Sequence, residues 1–281
     1  MQLLAPAKIN LSFEIKGRRA DGFHEIETLM TPVTLFDRLT IEKMSEEDGI
    51  RFSCDDPALA GDDNLVVRAA KLFRERGGIR GGVTIHLEKK IPHGAGLGGG
   101  SSDAASALLG LNELFSAGLT QSDLVELAAQ LGSDVPFFIV RSAALCRGRG
   151  EIVTPSELTQ QFRLLLLKPD FGVPTPWAYG KWKDSRPLPG IDYAPQEFGG
   201  TRFVNDLEQP VFEKFIFLAH LKTWLRAQPE IGAALMSGSG STVFGVLHAN
   251  ADATSIEDRL RSELDPKLKV FVCVTGDKPE D

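Results

Sequence analysis

The segment Pro92-His-Gly-Ala-Gly-Leu-Gly-Gly-Gly-Ser-Ser-Asp-Ala-Ala105 sets the tightest limit on what this chain folds into. Five of its residues between Gly94 and Gly100 are glycine. Ahead of it, Val83-Thr-Ile-His-Leu-Glu88 alternates apolar with polar, the pattern of a half-buried strand. Behind it, Ala104, Ala105, Leu108, Leu111, Asn112 and Phe115 mark one helical stripe that Gly118 ends. Ser101, Ser102 and Asp103 are the expected caps of that helix. Glycines at such a junction let the backbone bend sharply and approach a ligand closely. The helix start supplies unpaired N–H groups and a partial positive charge. The combination predicts an anion site, most often for phosphate. A flexible surface turn is the plainer alternative, and the strand and helix on either side argue against it.

Several phosphate loops share this outline. Gly94, Gly96 and Gly99 satisfy G-x-G-x-x-G, but a dinucleotide fold also needs an acidic residue ending a second strand about 20 residues on. The chain offers a helix there instead, opening at Leu119-Thr-Gln-Ser-Asp123 with Thr120 as N-cap. A Walker loop needs Lys straight after its last glycine, and Gly100 follows Gly99. Asp170-Phe171-Gly172 spells a protein-kinase motif without the accompanying catalytic-loop signature.

A chain of 281 residues holds two domains or one large one. A net charge of −7 argues against a nucleic-acid partner. Glu14 and Glu46-Glu47-Asp48 read as solvated surface. Cys54, Cys146 and Cys273 are odd in number and far apart, so no zinc site or disulfide framework is expected. The expectation is reduced thiols in a cytoplasmic protein, with neither signal peptide nor membrane span.

Along the chain, Ala7 to Ile15 alternates strictly, with Lys8, Asn10, Ser12 and Glu14 on one polar face. Gly17 to Gly22 is a turn, and Phe23 to Ile41 reads as strands broken near Pro32 and Asp37. Leu65 to Arg76 is an amphipathic helix stopped by Gly77-Gly78. Leu124, Leu127, Ala128 and Leu131 stripe another, which ends at Gly132. Ala143 to Val153 suits a hairpin. Beyond Pro155, Arg163 to Lys168 is a buried strand and Pro169 to Pro195 a loop with a short helix. Phe212 to Ala227 is helical, and Leu235 to Leu247 carries a second glycine turn into a strand. Ala253 to Leu264 is a helix and Leu268 to Val274 the last strand.

Each candidate for chemistry has a bland alternative. Lys8 reads as a solvated edge residue or as a cation for a developing alkoxide. Asn10 shares its face. Asp134, in Gly132-Ser-Asp-Val-Pro136, reads as an Asx-turn or N-cap, or as a general base for a hydroxyl. His24, Phe23 and Tyr179 suit packing as well as ligand contact. Ser237-Gly-Ser-Gly-Ser-Thr242 is a tight turn or a backbone approach to a ligand. Lys89 and Lys90 suit phosphate neutralisation, with solvated stems as the simpler reading.

Three motifs in order resemble the GHMP kinase superfamily: Ala5-Pro-Ala-Lys-Ile-Asn-Leu11, Pro92–Ala105 and Ser237–Phe244. Arg19-Ala-Asp-Gly-Phe-His24, Asp63-Asn-Leu-Val-Val-Arg-Ala69 and Gly132–Pro136 narrow the likeness to the branch acting on a cytidine diphosphate ester. The resemblance implies an α+β, two-domain fold with the active cleft between an ATP-binding domain (1–155) and a C-terminal domain (156–281). In that division the last strand is free to return to the first domain. It implies ATP and Mg²⁺ as cofactors, no nucleic-acid or membrane partner, and a monomer or weak homodimer. It makes Asp134 the base and Lys8 its electrostatic partner. ATP would lie against Pro92, Gly94, Gly96, Leu97, Gly98, Gly99, Gly100, Ser101 and Ser102, with Asn64 and Lys89 near the adenosine. The substrate would meet Asn10, Phe23, His24, Tyr179, Gly238 and Gly240. No metal-ligating residues are assigned. The branch commonly has Tyr where Phe23 stands; Phe keeps the stacking face and loses a hydroxyl. A mevalonate, homoserine or sugar kinase is the first rival. A non-catalytic kinase-like binding protein is the second.

Overall fold

A computed structural model describes residues 1–44, 49–77 and 81–278; Glu46-Glu47-Asp48 and Gly78 lie outside the described residues. The first part of the chain forms β1 (Gln2–Arg18), β2 (His24–Met44), β3 (Ile50–Cys54), α1 (Leu65–Gly77), β4 (Gly82–Glu88), α2 (Gly99–Phe115), α3 (Gln121–Leu131), α4 (Val135–Val140), β5 (Ala144–Gly148) and β6 (Ile152–Pro155). The rest forms β7 (Arg163–Lys168), α5 (Thr175–Lys181), β8 (Gln196–Phe198), β9 (Thr201–Asn205), α6 (Glu208–Lys214), α7 (Ile216–Arg226), β10 (Ile231–Met236), β11 (Val243–Leu247), α8 (Ala253–Glu263) and β12 (Lys269–Val274).

These strands make two sheets. One runs β3-β4-β2-β1-β9-β8, with β5 on β2 and β6 on β5; the other runs β10-β11-β7-β12. Alternating leucines in β7 show how they stack. Leu164 and Leu166 pack with Ala7, Ile9 and Leu11 of β1, while Leu165 and Leu167 pack with Leu218, Leu221 and Leu225 of α7. The far face of the first sheet carries α1 to α4 through Leu39, Ile41, Ile85, Leu108 and Leu127. The layers are therefore helices, sheet, sheet, helices. Two segments from the second half reach the first sheet: the β8–β9 hairpin joins β1, and β12, which pairs along β7, runs on to Thr275, which bridges Val33 of β2.

Four local expectations change. β2 is one continuous strand through Pro32 and Asp37. Its second edge pairs with β5 up to Met30 and with β4 from Arg38, so Pro32 sits where no ladder bond is lost on that side. β1 has no solvated polar face at Lys8 and Asn10, because it is a central strand and both are buried. A bulge between Asn10 and Ser12 also interrupts its alternation. Ser101, Ser102 and Asp103 do not cap α2; the N-cap is Gly98, and these three residues lie inside the helix. The helix expected over 212–227 is split at Phe215, whose φ of −106° and ψ of 65° are not helical. Thr120 does cap α3, in a reciprocal capping box with Asp123. Among the described residues no helix is long and apolar enough to cross a membrane.

Candidate active site

The two glycine turns close on β1 around a cleft of about 480 Å³. Gly94, Gly96 and Gly98 have φ of +62°, +75° and +70°. That is left-handed backbone, which glycine adopts without steric penalty. Gly96 also answers a close approach: a Cβ there would stand 2.3 Å from the Ser237 carbonyl oxygen. Ser237 Oγ donates to Gly96 O at 3.0 Å, and the Thr242 N–H donates to Ala95 O at 3.1 Å. The second turn is fixed from behind by Asn205, whose amide donates to Met236 O at 2.7 Å and Gly238 O at 2.8 Å. With no side chain capping α2, its first-turn N–H groups are left for the cleft. Pro92, Leu97, Gly99, Gly100, Ser101 and Gly240 line the same space.

Lys8 enters from β1, its N–H bonded to Leu97 O at 2.9 Å. Its ammonium donates to Asn10 Oδ1 at 2.7 Å; Asn10 Nδ2 donates to Thr28 Oγ1 at 2.8 Å; the Thr28 hydroxyl donates to Ser12 O at 2.6 Å. This relay gives each buried polar group a partner. Lys8 Nζ lies 3.7 Å from Asp134 Oδ2, with side-chain exposures of 5% and 39%. Asp134 occupies the N-cap position of α4, yet its side chain makes no cap bond and turns to the cleft. Burial draws the Lys8 pKa below the ordinary lysine value, with Asp134 opposing. Burial and the Asp134 charge push the neighbouring Cys146 thiol up to about 12. A Cβ on Gly238 would stand 3.3 Å from Lys8 Nζ, so the second turn closes directly on this pair.

A second chamber, of about 730 Å³, adjoins the first and shares Asp134, Arg149, Thr175 and Tyr179 with it. Here the structure brings Tyr179 to the neighbouring pair Phe23 and His24, from far along the sequence. The Tyr179 and His24 rings stack with centroids 5.3 Å apart, and Trp182 meets His24 edge-on at 5.8 Å. Phe23 is 52% exposed, with the Arg149 guanidinium 4.9 Å over its ring. Burial, then Arg18 and Lys183, lower the His24 pKa. Burial and Asp134 raise that of Tyr179.

Lys89 is not a solvated stem. Its ammonium donates to Asp37 and, at 2.7 Å, to Asp103, so its charge is already engaged. Lys90 is exposed. Asn64 uses its side chain on α1, accepting from Val66 N at 2.8 Å and donating to Leu59 O at 2.8 Å. Both Lys89 and Asn64 line the cleft. Sequence reading missed Thr28, Asn205, Asp37 and the three cations Arg18, Arg149 and Lys183. An acid between the apolar residues Leu35-Phe36 and Leu39, beside Arg38, was the one available signal, for Asp37. The others stand out only once the strands pair.

Residues 64–142 match the model of the GHMP kinases N terminal domain. A 4-diphosphocytidyl-2-C-methyl-D-erythritol kinase of Methylacidiphilum infernorum is 45% identical, covering 86% of this chain and 84% of its own. The enzyme of that name from Synechococcus sp. (strain CC9605) is 39% identical, covering 96% and 95%. Among solved structures, a crystal structure of 4-(cytidine 5'-diphospho)-2C-methyl-D-erythritol kinase superposes with a TM-score of 0.79 at 38% identity, covering 98% of this chain and 99% of that one. A homoserine kinase from Cytophaga hutchinsonii shares the fold, with a TM-score of 0.70 at 17% identity and coverage of 98% and 94%.

Proposed function

The chain belongs to the 4-diphosphocytidyl-2-C-methyl-D-erythritol kinase family, and on that premise we propose how its residues divide the work. It transfers phosphate from ATP to the 2-hydroxyl of 4-diphosphocytidyl-2-C-methyl-D-erythritol, a step of isoprenoid biosynthesis. The observation that carries the assignment of roles is the Lys8–Asp134 pair, set where two glycine turns and two chambers meet.

Asp134 accepts the hydroxyl proton, being the carboxylate that faces both chambers. Lys8, held by Asn10 and Thr28, stabilises the alkoxide as it forms. The first glycine loop and the start of α2 cradle the ATP phosphates through backbone N–H groups. The turn at Gly238 and Gly240 closes the polyol against Lys8. Phe23, His24 and Tyr179 receive the cytosine, and Asn64 and Lys89 border the adenosine. Catalysis is then positioning plus charge stabilisation. Mg²⁺ bound with the ATP phosphates would neutralise part of their charge. We assign nucleotide binding to 1–155 and the opposing wall to 156–281, in a cytoplasmic monomer or weak homodimer.

An ADP-release assay tests this directly. Turnover with the cytidyl diphosphate substrate, and far less with mevalonate, homoserine or a sugar, is the expected result. Equal turnover with one of those alcohols would overturn the substrate assignment and leave the kinase reading standing.

A further inference from the structure

Behind the first glycine loop lies a buried cluster with more acid than base. Lys89 from the end of β4 donates to Asp37 of β2 and to Asp103 of α2. Side-chain exposures are 10% for Lys89, 0% for Asp37 and 3% for Asp103. Asp37 is well satisfied: besides Lys89 it accepts the Lys90 N–H at 2.5 Å and the Ile91 N–H at 2.8 Å. Asp103 is not, because its Oδ1 is buried with no partner. Asp103 lies one turn into α2, and side chains on a helix lean toward its N-terminus. Its carboxylate therefore sits beside the first turn, where Lys89 Nζ lies only 3.3 Å from where a Cβ on Gly99 would stand. Lys89 and Asp103 both line the nucleotide side of the cleft.

We propose that Asp103 is a positioning residue that also sets nucleotide affinity. Through Lys89 it ties the first turn of α2 to β2, and as the surplus anion of the cluster it opposes the ATP phosphates. Neutralising it then tightens ATP while keeping the tie. The inference rests on the kinase reading above. Two ionised carboxylates on one ammonium leave a net negative charge at a helix start that otherwise favours anions. Bringing in a polyphosphate adds like charge, which favours the protonated acid. Burial already pushes the Asp103 carboxyl up to about 8, with Lys89 opposing and Asp37 reinforcing. Around the cluster lie Asp55, whose Oδ1 accepts the Lys89 N–H at 2.9 Å, Asp56, Cys54, whose thiol burial raises, and Lys90, which is exposed. The side-chain ion pairs of Asp37 and Asp103 both run to Lys89.

The test is calorimetric binding of a non-hydrolysable ATP analogue, without the alcohol substrate, from pH 6.5 to 9.5. Wild-type affinity should fall roughly three- to ten-fold as pH rises through about 8, the size expected of one screened like charge. Asp103→Asn keeps the shape, should bind at least as tightly as the wild type at low pH, and should lose that slope. Any slope from Lys8, which bonds to neither Asp103 nor Lys89, would persist in the variant. A merely structural Asp103 predicts weaker binding by Asp103→Asn with a parallel pH curve, and that result would overturn the proposal. Should Asp103→Asn fail to fold, the wild type alone decides. At pH 8.5 the phosphates of free ATP are fully ionised, so buffers of different ionisation enthalpy must reveal proton uptake by the protein on binding. No uptake sinks the proposal and leaves the kinase reading intact. No binding of the analogue at any pH would sink both.

Discussion

The two chambers of the site are built in opposite ways. The inner one is made of backbone and buried polar links: glycines at positive φ, the Lys8–Asn10–Thr28 relay, and Asn205 behind the second turn. The outer one is made of side chains on turns and a short helix: exposed Phe23, the His24–Tyr179 stack and the cations Arg18, Arg149 and Lys183. Buried networks fix geometry, which phosphoryl transfer needs. Surface aromatics adapt and bind, which recognition of a remote base needs. The division teaches that inner-chamber changes should act on kcat and outer-chamber changes on KM.

Asp134→Asn is the hardest blow to that division. It preserves size and removes the base, so kcat should fall about 10²- to 10⁴-fold with nucleotide affinity kept. Near wild-type turnover would mean that the inner chamber uses no protein base. Lys8→Ala should lower kcat by about 10²- to 10³-fold, as loss of one charge-stabilising donor does. Lys8 adds a pH signature. Its pKa is drawn down by burial, so its ammonium is present below that value and lost above it. The alkaline limb of kcat/KM should therefore lie below the ordinary lysine range, and Lys8→Arg should displace it upward.

Gly98→Val sharpens the comparison from the structural side. A Cβ there would meet Phe138 Cζ at 2.9 Å and Lys8 Cγ at 3.0 Å, on backbone at φ +70°. The side chain would press on Lys8 from behind rather than fill the phosphate space. Strain of at least about 1–3 kcal/mol is expected, seen as a lower Tm together with losses in both nucleotide affinity and kcat. A variant that loses only affinity would show that the loop and Lys8 are independent.

In the outer chamber, Tyr179→Ala should raise KM for the cytidyl substrate roughly five- to hundred-fold, with kcat and ATP affinity much less affected, on the scale of base stacking at about 1–3 kcal/mol. Unchanged KM would place the cytosine elsewhere. The smallest effect belongs to Phe23→Tyr. It adds a hydroxyl to an exposed ring, and KM should move by no more than about ten-fold, the reach of one added hydrogen bond. A large change in kcat would erase the boundary between the chambers.

Much of this was legible in the order of residues. The glycine run, the strand before it and the helix after it are local features, and each formed near where periodicity placed it. Thr120 and Asp123 capped α3 as their spacing demands. Lys8, Asn10 and Asp134 were legible as candidates through their motifs. Their state was not. Lys8 reads as a solvated edge residue until the glycine loop, some 90 positions on, is seen to cover it through Leu97 O. Pro32 reads as a break until the switch from β5 to β4 is seen beside it. Lys89 reads as free until Asp37 and Asp103 converge on it from two other elements.

The sequence by itself determined the long periodic strands and helices and the glycine turns, though not the short β3, α4, β8 and β9, because periodicity and backbone sterics act within a few residues and need a run to register. Only the tertiary structure decided which polar groups are buried, which charges cancel and which turn touches which. Burial and charge pairing depend on segments brought together across the whole chain, and no local pattern records which of them will meet.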